Sequence, residues 1–191
     1  MSETFSVDPN RRATLLGAAA LVGVGGLAAG SGRVWRHFDL SNKLFNPLRA
    51  DFFELPPVPG LVDAAGAPIP GFSAETIKGQ RVFLNAFASW CPSCIQEHQA
   101  LMAFARSGEQ IYGIASLDDP AQTLAYLRAN GNPFARVGVD RKGQLYRALG
   151  ARGIPASFVM APAPHLALML QGTQTLADLQ GKILQALAAK S

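Results

Sequence analysis

The chain has 191 residues, a formal net charge of +4, 49% hydrophobic residues and 16% charged ones. This is too apolar for a disordered polymer, and with a terminal apolar stretch set aside it leaves one domain able to bury a core. Up to Ala50 six Lys/Arg stand against three acidic residues, but from Asp51 onward eleven basic residues face ten acidic ones. The folded part has no concentrated basic surface, which excludes a nucleic-acid partner.

Residues 1–12 read as a polar N-terminal cytoplasmic tail ending in Arg11-Arg12. Residues 13–32 are uncharged and dominated by Ala and Gly. At about 1.5 Å per residue this run can span a hydrocarbon core of about 30 Å, and the arginines before it favour a cytoplasmic N-terminus for a transmembrane anchor. Leu15-Leu16 behind the twin arginines, and the small residues Ala28-Ala29-Gly30-Ser31, also fit a removable export signal. Both readings carry the following domain out of the cytoplasm. Residues 33–50 read as a stalk and 51–191 as the domain, with Pro-rich irregular sequence continuing to about Gly71. Phe45, Phe52 and Phe53 suggest that part of this lead-in docks on the domain.

The folded portion then alternates. Arg81 to Ala88 is a continuous apolar run of strand length, as expected for a strand buried on both faces. Cys91 to Ser107 follows as a helix with Leu101, Phe104 and Ala105 on one side. Gln110 to Ser116 is the next strand. Asp118 or Asp119 caps a helix whose first turn holds Pro120 and which Gly131 ends. A strand at Ala135 to Val139 leads to a short helix near Gln144 to Leu149. Ser157 to Ala161 and Leu166 to Gln171 form a hairpin around Pro162-Ala163-Pro164. Thr175 to Ala189 closes the chain as an amphipathic helix with Leu176, Leu179, Ile183, Leu184 and Leu187 at helical spacing. This order predicts an α/β fold with a mixed central sheet and helices on both faces.

Only two cysteines occur, Cys91 and Cys94. A bridge across so short a loop removes little chain entropy, so the pair serves chemistry rather than stability. Cys91 falls at a helix N-terminus, where unpaired N–H groups and the helix dipole favour a thiolate and hence a nucleophile. Cys94, one turn further in, can resolve a mixed disulfide from within. The competing reading is a metal knuckle with His98 as third ligand. Zinc wants four ligands, and the remaining histidines, His37 and His165, are distant in sequence.

The run Asn85-Ala86-Phe87-Ala88-Ser89-Trp90-Cys91-Pro92-Ser93-Cys94 resembles the active-site segment of thioredoxin-like proteins. Ile95-Gln96-Glu97-His98, Gly131-Asn132-Pro133-Phe134 and Gly150-Ala151-Arg152-Gly153-Ile154-Pro155 are similar to the DsbE/CcmG family. The resemblance covers about Asp51 to the C-terminus and includes the N-terminal tether. It implies a thioredoxin-like fold and a single-pass protein of the bacterial inner membrane with its catalytic domain in the periplasm. The implied activity is a thiol–disulfide oxidoreductase that reduces partner disulfides during cytochrome c maturation. Apocytochrome c or haem-ligation components would be the oxidised partners, and an upstream membrane dithiol reductase the electron donor. No cofactor beyond the redox-active Cys91–Cys94 disulfide is implied, and no metal. A general periplasmic oxidase or isomerase, or a copper or zinc carrier, remain the alternatives.

The resemblance also assigns roles. Ile154-Pro155 matches the cis-proline loop, which would hold an extended edge beside the sulfurs for a substrate chain; an ordinary trans proline opening a strand is the plainer reading. Asn85 stands where cytosolic thioredoxins carry a buried Asp. Glu97, three residues after Cys94, is the carboxylate placed to reach the pair instead, unless it is simply a solvated residue on the helix surface. Trp90 is expected as a platform beside Cys91, although Trp at a strand end is also ordinary core. Arg152 and Ala156 depart from the aromatic and acidic residues that commonly flank the loop in this family. The change adds positive charge near the sulfurs and puts Arg152 among the candidate substrate contacts.

Overall fold

The computed structural model describes residues 53–162 and 165–189. The tail, the anchor or signal segment and the stalk expected over 1–50 lie outside the described residues. Among the described residues no helix is long and apolar enough to cross a membrane.

The apolar run after Arg81 becomes β3 (Val82–Phe87), buried along its whole length and central in the sheet. Its pleat sends Phe83, Asn85 and Phe87 to one face and Val82, Leu84 and Ala86 to the other. Around it the sheet also contains β4 (Ile111–Ser116), β5 (Arg136–Asp140), β6 (Ala156–Met160) and β7 (Leu166–Gln171), in the order β5-β4-β3-β6-β7. β4 runs parallel to β3 and β5 parallel to β4, while β6 is antiparallel to β3 and β7 to β6. The parallel crossovers are helical, as such connections usually are: α2 (Pro92–Arg106) joins β3 to β4, and α3 (Pro120–Asn130) joins β4 to β5.

Both faces are covered. Leu101 and Phe104 of α2, Leu127 of α3 and the C-terminal residues Leu179 and Ile183 pack on the Phe83 face. On the opposite face lie Ile77 of α1 (Ala74–Ile77), with Leu145 and Tyr146 of α4 (Gln144–Ala148). Leu55 of β1 (Glu54–Leu55) and Phe72 of β2 (Phe72–Ser73) complete that layer. The expected mixed sheet with helices on both faces is therefore present.

One local feature extends the expected docking of the lead-in, and another departs from expectation. The Pro-rich lead-in is partly ordered: β1 and β2 pair with each other, and the N–H groups of Val137 and Val139 donate to the carbonyls of Pro70 and Pro56. This covers the outer side of β5, where an exposed strand edge would otherwise invite pairing with another chain. The last helix is not one regular element but α5 (Leu176–Asp178), a π turn (Leu179–Ile183) and α6 (Leu184–Ala188). Leu179 and Ile183 are four apart and both fully buried, with the wider turn lying between them.

Candidate active site

At the C-terminal end of β3 the chain turns through Ser89-Trp90 into α2, with Cys91 as the N-cap and Pro92 in the first turn. Pro at that position loses no helical hydrogen bond and starts with a suitable φ. Cys91 and Cys94 are joined in a disulfide with their Cα atoms 5.2 Å apart. The Cys94 N–H donates to Cys91 Sγ at 3.2 Å, so this sulfur occupies the place of a capping oxygen. A developing thiolate there meets a first-turn N–H, which also reaches the Cys91 carbonyl at 3.1 Å, and the positive end of the dipole. In the disulfide state both residues are buried, Cys91 4% and Cys94 3% exposed. What separates them is position, one at the cap and one inside the first turn, rather than accessibility.

Opposite the pair runs the loop entering β6. The Ile154–Pro155 peptide bond is cis, and the Ile154 carbonyl oxygen lies 3.8 Å from Cys91 Sγ. Trp90 is 53% exposed and its indole N–H donates to the Leu117 carbonyl at 3.0 Å. The core reading of Trp90 is thereby excluded, because its side chain lies on the surface.

Glu97 is 1% exposed, so the solvated-surface reading fails. Its carboxylate accepts hydrogen bonds from Asn85 Nδ2 (3.1 Å) and from the Gln174 N–H (2.9 Å). Burial pushes its pKa up to about 7 against the opposing effect of these two bonds. Asn85 also donates to Ser157 Oγ at 3.2 Å, while its Oδ1 is buried without a partner. Cys94 and Glu97 lie three apart on the buried side of α2, facing the sheet beneath. A carboxyl titrating near 7 thus lies three residues along the helix from the inner cysteine.

His98 is held at the end of α3. Its Nε2 lies 3.2 Å from the Asn130 carbonyl and 3.1 Å from that of Gly131, and burial lowers its pKa. It secures the end of α3, where Gly131 takes φ 87°. Beyond that turn, Asn132 Oδ1 accepts the Phe134 N–H at 3.0 Å and Phe134 stacks on Phe87 with ring centroids 4.7 Å apart. The Gly-Asn-Pro-Phe segment therefore supports the active-site strand from below.

The sequence offered Asp118 or Asp119 as the α3 cap, and sequence reasoning missed what the other aspartate and Thr173 do for the site. Asp119 caps α3, accepting the Ala121 N–H at 2.9 Å. Asp118 instead points inward and accepts from Ser89 N–H (2.7 Å), Ser89 Oγ (2.9 Å) and Thr123 Oγ1 (2.8 Å). It ties the turn before Trp90 to the start of α3. On the other side Thr173 Oγ1 donates to the Ser93 carbonyl at 3.3 Å. The Asp118-Asp119 doublet was the available signal, since one helix needs only one cap.

A strand-to-helix turn carrying a cysteine pair, faced by a cis-proline loop, defines the thioredoxin-like class. The chain belongs to the redoxin family, whose model matches residues 54–167. It is 41% identical over 83 residues to the thiol:disulfide interchange protein DsbE of Pasteurella multocida, a match covering 44% of this chain and 46% of that one. It is 30% identical to the thiol:disulfide interchange protein HelX of Rhodobacter capsulatus, covering 60% and 65%. The chain spans about half the length of the curated relatives it matches. Among solved structures, a thiol:disulfide interchange protein of Chlorobium tepidum superposes with a TM-score of 0.55 at 25% identity, over 71% of this chain and 93% of that one. The likeness to the DsbE/CcmG proteins read from the motifs is borne out by these relatives.

Proposed function

We propose that this protein is a thiol–disulfide oxidoreductase that passes electrons from the Cys91/Cys94 dithiol to disulfides of partner proteins. The observation that carries this reading is the pair at the α2 N-terminus, with the Ile154 carbonyl on one side and the buried Glu97 behind. In the reduced protein the Cys91 thiolate attacks a substrate sulfur, forming a mixed disulfide and expelling one substrate thiolate. Cys94 then gives up its proton, attacks Cys91 Sγ and expels the second substrate thiolate. Glu97, titrating near 7, is placed to take that proton. The products are two substrate thiols and the Cys91–Cys94 disulfide, and no cofactor enters. The reduced full chain is expected to reduce insulin disulfides with a dithiol as electron source, and Cys91→Ser to abolish this. A wild-type chain no faster than the dithiol alone overturns the reading.

The finer assignment follows the relatives named DsbE and HelX. We read the partners as apocytochrome c or haem-ligation components, and the donor as an upstream membrane dithiol reductase. The domain works in the periplasm, held by an anchor at 13–32 or released there by cleavage. Alkaline phosphatase fused after Ala50 is expected to be active in a bacterial host. An inactive fusion places the domain in the cytoplasm and rejects export.

A further inference from the structure

The loop that faces the disulfide is held from the edge of the sheet by one side chain. Gln171 is the last residue of β7 and pairs across the ladder with Ala156. Its amide turns back toward the loop and makes three hydrogen bonds there. Nε2 donates to the carbonyls of Gly153 (2.9 Å) and Pro155 (3.2 Å), and Oε1 accepts the Arg152 N–H (3.1 Å). Both amide protons and the carbonyl oxygen are thus engaged. The next residue adds a backbone bond, Gly172 N–H to the Pro155 carbonyl at 2.9 Å.

Gln171 is exposed, so burial does not account for this arrangement. Ala156, its cross-strand neighbour, brings no long side chain to compete for the same space. The three bonds fall on residues 152, 153 and 155 and leave out Ile154. Among the described residues the Ile154 N–H has no acceptor, and its carbonyl faces Cys91 Sγ. The same stretch of chain also reaches the helix side of the site, through Thr173 to Ser93 and the Gln174 N–H to Glu97. Loop and cysteine pair are therefore referenced to one short segment, 171–174.

We propose that Gln171 is a positioning residue for polypeptide substrates. It holds the 152–155 loop so that the Ile154 backbone stands ready as an extended edge for the chain flanking an incoming disulfide. The proposal rests on the oxidoreductase reading above. A loop already fixed in the binding geometry spares the ordering cost that a free loop would charge on each encounter. A small diffusible disulfide has no backbone to lay on this edge and gains nothing from it.

The two substrate types therefore separate the effect. The purified full chain, reduced, is mixed in single turnover with insulin or with hydroxyethyl disulfide, and loss of protein thiols is followed after acid quenching. Gln171→Leu removes all three bonds, while Gln171→Glu keeps an acceptor for Arg152 and loses both donors. In both variants the rate constant with insulin is expected to fall about tenfold, since both lose the two donated bonds to the loop carbonyls. With hydroxyethyl disulfide it should stay within about twofold of wild type, and the equilibrium with glutathione should not move. Unchanged insulin rates overturn the proposal. So do parallel losses on both substrates or a shifted glutathione equilibrium, which mark a general disturbance of the site. A wild-type chain inert toward both disulfides overturns the oxidoreductase reading, and this one with it.

Discussion

Cys94→Ser is expected to turn the full chain into a trap for its own partners. Cys91 keeps its place at the α2 N-cap, where the backbone N–H of residue 94 still points at its sulfur. The thiolate still attacks, but no internal thiol remains to release the mixed disulfide. Expressed with its N-terminal segment in a bacterium making c-type cytochromes, the variant should run on non-reducing gels as a higher-mass adduct that collapses on reduction. Cys91→Ser should give none, because the remaining thiol sits inside the first turn and lacks the cap position. The bound protein identifies the pathway. Apocytochrome c or a haem-ligation component supports the assignment above, whereas a broad spread of adducts marks a general folding enzyme. Equal adducts from both variants overturn the assigned roles.

How far the sequence reached depended on whether a feature was local. Val82–Phe87 was legible as a buried strand because six consecutive positions needed burial on both faces. The start of α3 followed from the Asp118-Asp119 doublet and Pro120, and its end from Gly131, since a cap and a left-handed residue act within one turn. The cysteine pair was legible for the same reason. β1 and β2 were not, because two-residue strands exist only through partners distant in the chain. The π turn at Leu179–Ile183 left no mark, since its residues satisfy helical spacing almost as well. The supports of the site were hidden in the same way. Gln171 and Arg152 are 19 positions apart, and Glu97 meets Gln174 across 77. Glu97 itself was half legible: its spacing from Cys94 pointed to the pair, but only the packed structure shows that it is buried and what it touches.

Burial of Glu97 should contribute stability to the folded protein in mild acid that is lost in mild base. Its carboxyl titrates near 7 in the folded state against an ordinary 4.5. Between these values the folded state keeps a proton that the unfolded chain has lost, so stability falls as pH rises through the window. The contribution is complete below about pH 4.5 and gone above about pH 7, a difference on the order of 3 kcal/mol. Urea unfolding of the oxidised chain measures it without interference from thiol titration. Glu97→Gln removes the titration and supplies the reference curve. The variant can keep its contacts, because the Asn85 amide can turn over and offer its unpartnered Oδ1 to the new N–H group. Wild type and variant should therefore be of similar stability near pH 4.5, with the variant ahead by up to about 3 kcal/mol at pH 8. The reduced form should show the same carboxylate acting on the sulfurs. Without its negative charge the Cys91 thiol should ionise at lower pH and the protein become more oxidising, as read from ultraviolet thiolate absorbance and the glutathione equilibrium. Parallel stability curves for the two chains would mean that Glu97 does not titrate near neutrality and is not the proton acceptor for Cys94.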